Sequence, residues 1–273
     1  MAQPVLDRSF GRQAFGLDPA NYHAARPAYP QMVWTALRER AGLRAGIDIL
    51  EIGAGTGLAT DHLLAAQPKR LVAVEPDQRL AAFLLQRLGD ANLDVVTAPF
   101  EDVAHPPGSF DLVMSATAFH WLDAGPALRS IHALLRPAGA VALFWNTFGD
   151  AGRADAFHQA TAHLFVGHHT SPSGGGTTDI PYGLDVEARL RDLRNTGFVP
   201  DEPEILPWTL TLDPAGVRRL YATYSNITAL PPDERGRVLD GLAEISEREF
   251  GGKVTRNMTT SIYTARRVSS SRA

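Results

Sequence analysis

Two acidic residues and a run of glycines carry the first chemistry that can be read from this chain. Glu51 precedes Gly53, Gly55 and Gly57 in the stretch Asp48-Ile-Leu-Glu-Ile-Gly-Ala-Gly-Thr-Gly-Leu58. Ile49, Leu50 and Ile52 run straight into the glycines, the pattern of a buried parallel strand that breaks into a tight turn and then a helix. Glycine has no Cβ, so the chain turns sharply there and a bound molecule can touch the main chain at van der Waals distance. Glu75 lies 22 residues after Gly53 and closes the next apolar run, Leu71-Val-Ala-Val74. An acid at that strand end can accept hydrogen bonds from both hydroxyls of a ribose, so the two features together read as a nucleoside site.

Three further groups are candidates. In Ala98-Pro-Phe-Glu-Asp102, a main-chain amide near Phe100 and the Glu101 carboxylate are placed to meet an adenine edge. His120, between Phe119 and Trp121, has an imidazole suited to general-base work near neutral pH; the other reading is a packing residue between two aromatics. His158, His163, His168 and His169 invite a metal, but no cysteine accompanies them. His163 and His168 are also five apart, off one helical face, so no metal site is expected.

The elements that must position these groups alternate. A helix is expected from Gln31, with Val33, Trp34, Leu37 and Leu43 at roughly helical spacing and Pro30 suiting its first turn. Strand 49–52, helix 56–66, strand 71–74, helix 79–88, strand 93–97, strand 110–115, helix 125–136 and strand 140–145 follow. This repetition specifies a parallel sheet with helices on both faces. Beyond Asn146 the alternation fails. Helices are expected over 154–165 and 185–195, with a glycine- and serine-rich, mobile stretch at 170–178 between them. Sheet character returns at 204–212 and 257–266, separated by a helical segment 215–250 broken near Pro231-Pro232.

The units expected are a lid (1–30), a cofactor-binding core (31–146), a cap insertion (147–200), a C-terminal part completing the sheet and substrate pocket (201–268) and a disordered tail (269–273). Within the lid, the prolines of Tyr22-His-Ala-Ala-Arg-Pro-Ala-Tyr-Pro30 forbid a continuous helix.

Composition excludes several function classes. The 273 residues are 44% apolar and 21% charged, ordinary for a globular chain, and the net charge of −4 argues against a protein that coats nucleic acid. No cysteine means no disulfide, thiolate metal site or cysteine nucleophile. No basic-then-apolar leader and no apolar run long enough to span a membrane are present, and a cytoplasmic enzyme with no membrane partner is expected. Oligomeric state is left open.

Taken together, Glu51-x-Gly53-x-Gly55-x-Gly57, Glu75-Pro-Asp77, Phe110-Asp-Leu-Val113 and Leu135-Arg-Pro-x-Gly139 resemble the ordered motifs of class I S-adenosylmethionine-dependent methyltransferases over about residues 40–146. Tyr22-x-x-x-Arg26-Pro-x-Tyr-Pro30 and Ala118-Phe-His-Trp121 resemble a small-molecule branch that includes trans-aconitate methyltransferase-like enzymes, and Tyr224-Ser with the strand 259–266 is consistent with it. Pro99 departs from the pattern, standing where many relatives have an aspartate near the adenine.

The resemblance implies a Rossmann-like α/β fold, a doubly wound, mostly parallel seven-stranded sheet, with S-adenosylmethionine as cofactor and a small-molecule acceptor. It implies that Gly53 to Gly57 approach the methionine and ribose portions, that Glu51 orients the amino group and that Glu75 holds the ribose diol. Arg26 would meet the methionine carboxylate or an acidic substrate. Tyr22, Ala54, Pro76, Phe100, Glu101, Ser115 and Ala116 complete the implied cofactor set, and Tyr29, Phe119, His120, Trp121 and Trp145 the substrate set.

Two other classes share parts of the pattern. A nicotinamide or flavin oxidoreductase wants a small residue three after the second glycine, where this chain has Leu58. A non-catalytic nucleoside-binding module would keep the fold and the acids without turnover.

Overall fold

The computed structural model describes residues 5–89, 92–148, 150–174 and 180–268. The expected tail 269–273 and the part of the 170–178 stretch from 175 onward lie outside the described residues.

The N-terminal segment folds into two short helices, α1 (Arg8–Ala14) and α2 (Pro19–Ala25). Each starts at an aspartate whose side chain accepts a main-chain N–H, Asp7 from Ser9 and Asp18 from Asn21. Arg26 then turns extended, because Pro27 disfavours helical dihedrals in the residue before it. α3 (Gln31–Glu39) buries Val33, Trp34 and Leu37 as the spacing predicts.

β1 (Asp48–Ile52) is buried at every position. The helix after it, α4 (Thr60–Ala65), starts four residues later than expected. Gly55 and Gly57 hold φ of +59° and +89°, so residues 53–59 form a turn rather than helix. β2 (Arg70–Val74), α5 (Gln78–Leu88), β3 (Leu93–Val96), β4 (Phe110–Ala116), α6 (Ala124–Leu134) and β5 (Leu135–Phe148) complete the alternating part. Arg136 forms ion pairs with Asp48 at 2.7 Å and Asp111 at 2.5 Å, tying β1, β4 and β5 together at their amino ends.

Beyond β5 come α7 (Ala156–Thr161), α8 (Val186–Asn195), β6 (Phe198–Pro200), β7 (Glu204–Leu212), α9 (Pro214–Tyr221), α10 (Ser225–Thr228), α11 (Pro232–Phe250) and β8 (Val254–Arg267). The sheet order is β3-β2-β1-β4-β5-β8-β6, with β7 also on β8. β1 to β5 are mutually parallel, and β8 returns antiparallel to β5.

The sheet has eight strands rather than seven because its last rank is split. β6 pairs with residues 265–267 of β8 and β7 with 254–262, end to end on one edge. The break falls at Asp201, whose carboxylate accepts from Thr264 Oγ1 at 2.6 Å.

Alternating strand residues feed two cores. Leu50, Ile52, Val72 and Val113 pack with α6 and α8, while Ile49, Leu71, Leu112 and Met114 pack with α3 and α4. Phe157 of α7 joins Val217, Ile227, Leu239 and Leu242 in a separate satellite core. Residues 147–200 therefore divide their packing, α7 going with the C-terminal helices and α8 with the sheet.

Candidate functional site

At the carboxyl edge of the sheet, β1 lies between β2 and β4, with Ile52 opposite Val74 and Glu51 opposite Met114. That register sets Gly53, Glu75 and Ala116 side by side, at the point where the strand order reverses. A cavity opens there with about 890 Å³ of space, open solvent at its mouth included.

The glycine turn cradles the cavity through one glycine more than the others. Gly53 and Gly55 line it, but a Cβ on Gly53 would strike Ala118 at 2.4 Å, whereas one on Gly55 would meet nothing within 4 Å. Gly57 is outside the lining, and a Cβ there would strike Leu84 at 2.6 Å, so its glycine serves packing of α5.

Glu75 is 5% exposed and accepts from the amide of Gly55 at 2.8 Å through Oε2 and from that of Asp77 at 2.9 Å through Oε1. Each oxygen keeps further acceptor capacity, enough for the two hydroxyls of a ribose. Burial raises its pKa to about 7 against the lowering effect of those bonds. Glu51 is buried behind the turn, accepts from Thr60 Oγ1 at 2.7 Å, and is pushed by burial up to about 8. A buried carboxylate pair facing a glycine cradle fits a ligand that brings a diol and an ammonium group, which is the donor set of S-adenosylmethionine.

Tyr22, Tyr29, Ala54, Pro76, Phe100, Glu101, Ala116 and Trp121 also line the cavity. Ser115 does not; its hydroxyl donates to Ile52 O at 2.9 Å inside the sheet. Phe119 is likewise outside the lining and packs in the core with α6.

Phe15, Tyr22, Thr117 and Trp121 line a second chamber as well, so the two spaces share a wall. The second one holds Arg26, His120, Trp145, Asn146 and Tyr224. Arg26 stands among the rings of Tyr224 (5.0 Å), Tyr22 (5.1 Å) and Phe148 (5.8 Å) and donates through Nη2 to Thr223 O at 2.8 Å. Its Nε and the Tyr224 hydroxyl are buried without a partner among the described residues. Burial moves the Tyr224 phenol upward, so it remains a protonated donor.

His120 is 3% exposed, and burial, with the charges of Arg26 and Arg8, drives its pKa down to about 3. Its Nδ1 accepts from Trp145 Nε1 at 3.2 Å. The other histidines do not converge: His158 lines the second chamber, His168 pairs with Glu234 at 3.1 Å, and no metal-holding group of three occurs among the described residues.

Three contributors escaped the sequence reading. Gly11 of α1 lines the cavity, and a Cβ on it would lie 2.3 Å from the Trp121 indole, so only glycine lets α1 press that close. Phe15 meets Trp121 edge-on at 5.9 Å. Thr117 holds φ +53° and hydrogen-bonds Tyr29 Oη at 2.8 Å, a left-handed residue at a strand end that no local pattern marks.

Residues 50–143 match the methyltransferase domain family. An uncharacterised methyltransferase of Schizosaccharomyces pombe is 27% identical over 252 residues, 85% of this chain and 87% of its own length. A second, methyltransferase-like protein of the same yeast is 33% identical over 141 residues, about half of either chain (50% and 53%). Among solved structures, one assigned as a type II methyltransferase from Anaeromyxobacter dehalogenans superposes with a TM-score of 0.63 at 23% identity, covering 89% of this chain and 97% of that one.

Proposed function

We propose that this chain is a class I S-adenosylmethionine-dependent methyltransferase whose acceptor is a small carboxylic acid bound in the chamber that holds Arg26 and Tyr224. One observation carries the reading: Arg26 Nε and Tyr224 Oη are both buried and both lack a partner among the described residues. An unsatisfied buried donor costs about 1–3 kcal/mol, and a carboxylate would satisfy the two together. The small-molecule branch resembled by Tyr22 to Pro30 and Ala118 to Trp121 supports the same class.

When bound, the cofactor supplies a methyl group already activated on a sulfonium. The chain's own residues then have three tasks. Gly55, Glu51 and Glu75 receive the donor on the β1–β2 side; Arg26 and Tyr224 orient the acceptor; Phe15, Tyr22 and Trp121 exclude water where the chambers meet. Holding the two reactants in line supplies most of the acceleration. A carboxylate oxygen is already anionic, so no side chain has to remove a proton, and this agrees with a histidine that burial keeps neutral. The cytoplasm is the proposed compartment, supported by the cysteine-free composition. Among the described residues no helix is long and apolar enough to cross a membrane.

The test uses methyl-labelled S-adenosylmethionine and a panel of mono-, di- and tricarboxylic acids, each paired with its amide and with amine and phenol analogues. Label is expected in base-labile methyl esters of the acids. Transfer to amines or phenols with the acids inert would replace the carboxylate by another nucleophile.

A further inference from the structure

The indole N–H of Trp145 can only donate, so the His120 Nδ1 that receives it at 3.2 Å carries a lone pair and no proton. A neutral imidazole has one N–H, which then belongs to Nε2. The indole has little freedom to release that bond. Trp145 is 2% exposed and paired through β5 to Ser261 of β8. On one side Gly183 approaches so closely that a Cβ would sit 2.8 Å from its Cγ, and Tyr263, whose hydroxyl donates to Gly183 O at 2.8 Å, packs edge-on at 5.9 Å.

We propose that Trp145 is a positioning residue that locks His120 in the Nε2–H tautomer, making His120 a hydrogen-bond donor toward the acceptor chamber and denying it the role of base. The inference rests on reading that chamber as the acceptor site, and it sharpens the substrate class: a nucleophile facing His120 has to arrive deprotonated, because that imidazole has no lone pair free for its proton. Two of the charged groups around His120 work the same way. Arg26 beyond α2 and Arg8 of α1 oppose a positive imidazolium. Tyr182, with its ring 6.1 Å away, is held protonated by burial, its pKa raised to about 12. Asp7 lines the outer recess that His120 also reaches.

The tautomer can be read without turnover by two-bond ¹H–¹⁵N correlation on the full chain with ¹⁵N-labelled histidine, His120 being identified by its disappearance in His120→Gln. The wild type is expected to show His120 neutral, with Nδ1 the unprotonated nitrogen, from pH 5 to 8. Trp145→Phe is expected to show both tautomers. A wild-type His120 that is Nδ1-protonated or an imidazolium in that range overturns the inference, as does a folded Trp145→Phe with an unchanged tautomer. Should Trp145→Phe fail to fold, the wild-type spectrum alone decides. An inert carboxylic acid panel, by contrast, would remove the acceptor assignment and leave the tautomer standing.

Discussion

The two chambers that meet at Trp121 are built by different means. The side proposed for the methyl donor takes its polar groups from strand ends: Glu51 and Gly53 close β1, Glu75 closes β2, and Ala116 and Thr117 close β4. Backbone ladders set their spacing, and Gly55 N and Asp77 N fix the carboxylate of Glu75. The side proposed for the acceptor gathers Arg26, His120, Trp145 and Tyr224 from four distant segments, held by side-chain contacts such as the aromatic cage around Arg26. A fold can thus keep one chemistry constant on its ladder while the acceptor wall varies with packing.

If that division is right, substitutions on the two sides separate cleanly. Glu75→Ala is expected to weaken S-adenosylhomocysteine binding by at least ~100-fold, about 2.7 kcal/mol, in calorimetry. Unchanged affinity would undo the donor assignment at its centre. Arg26→Gln is expected to cost roughly 10- to 100-fold in kcat/KM for a carboxylate acceptor, the worth of one charge-assisted hydrogen bond, with S-adenosylhomocysteine affinity within about threefold of wild type. A large fall in that affinity would instead assign Arg26 to the methionine carboxylate.

Smaller effects follow from the buried acids. Burial holds the Glu75 pKa at about 7, and hydroxyl donors favour its ionised form, so S-adenosylhomocysteine affinity should fall as pH drops from 7.5 to 6. The loss approaches ~10-fold per pH unit below the pKa, and Glu75→Gln should make the slope shallower, leaving the part that Glu51 contributes. Glu51 has its folded pKa raised above the unfolded 4.5, to about 8. A raised carboxylate pKa means that the native state binds the extra proton between those values, so stability falls as pH rises through that window. Glu51→Gln should therefore raise the melting temperature of the ligand-free protein at pH 8 by ~2–4 °C, the equivalent of about 1 kcal/mol. A lowered midpoint would mean that the charge is compensated by a contact other than Thr60.

Legibility in the sequence followed the same line. The glycine turn and the two acids could be read because each of these signals is local: Ile49 to Gly57 is one strand and its turn, and Glu75 ends the next strand. The late start of α4 was hidden because the left-handed dihedrals of Gly55 and Gly57 leave no periodic trace. Gly11 was invisible for a different reason, since its demand comes from an indole 110 residues away (121 − 11). The split of the last sheet rank was equally out of reach, since it depends on how β6 and β7 share one edge of β8.

By itself, the sequence determined the alternating core, the glycine turn and the two acids, because periodicity and backbone permissiveness act over a few residues. Only the tertiary structure decided that Gly57 packs against α5 while Gly55 faces the cavity, that Arg26 Nε and the Tyr224 hydroxyl are buried in one chamber without a partner among the described residues, and that Trp145 donates to His120. Those outcomes depend on which distant surfaces meet, and direction, burial and tautomer are set only when they do.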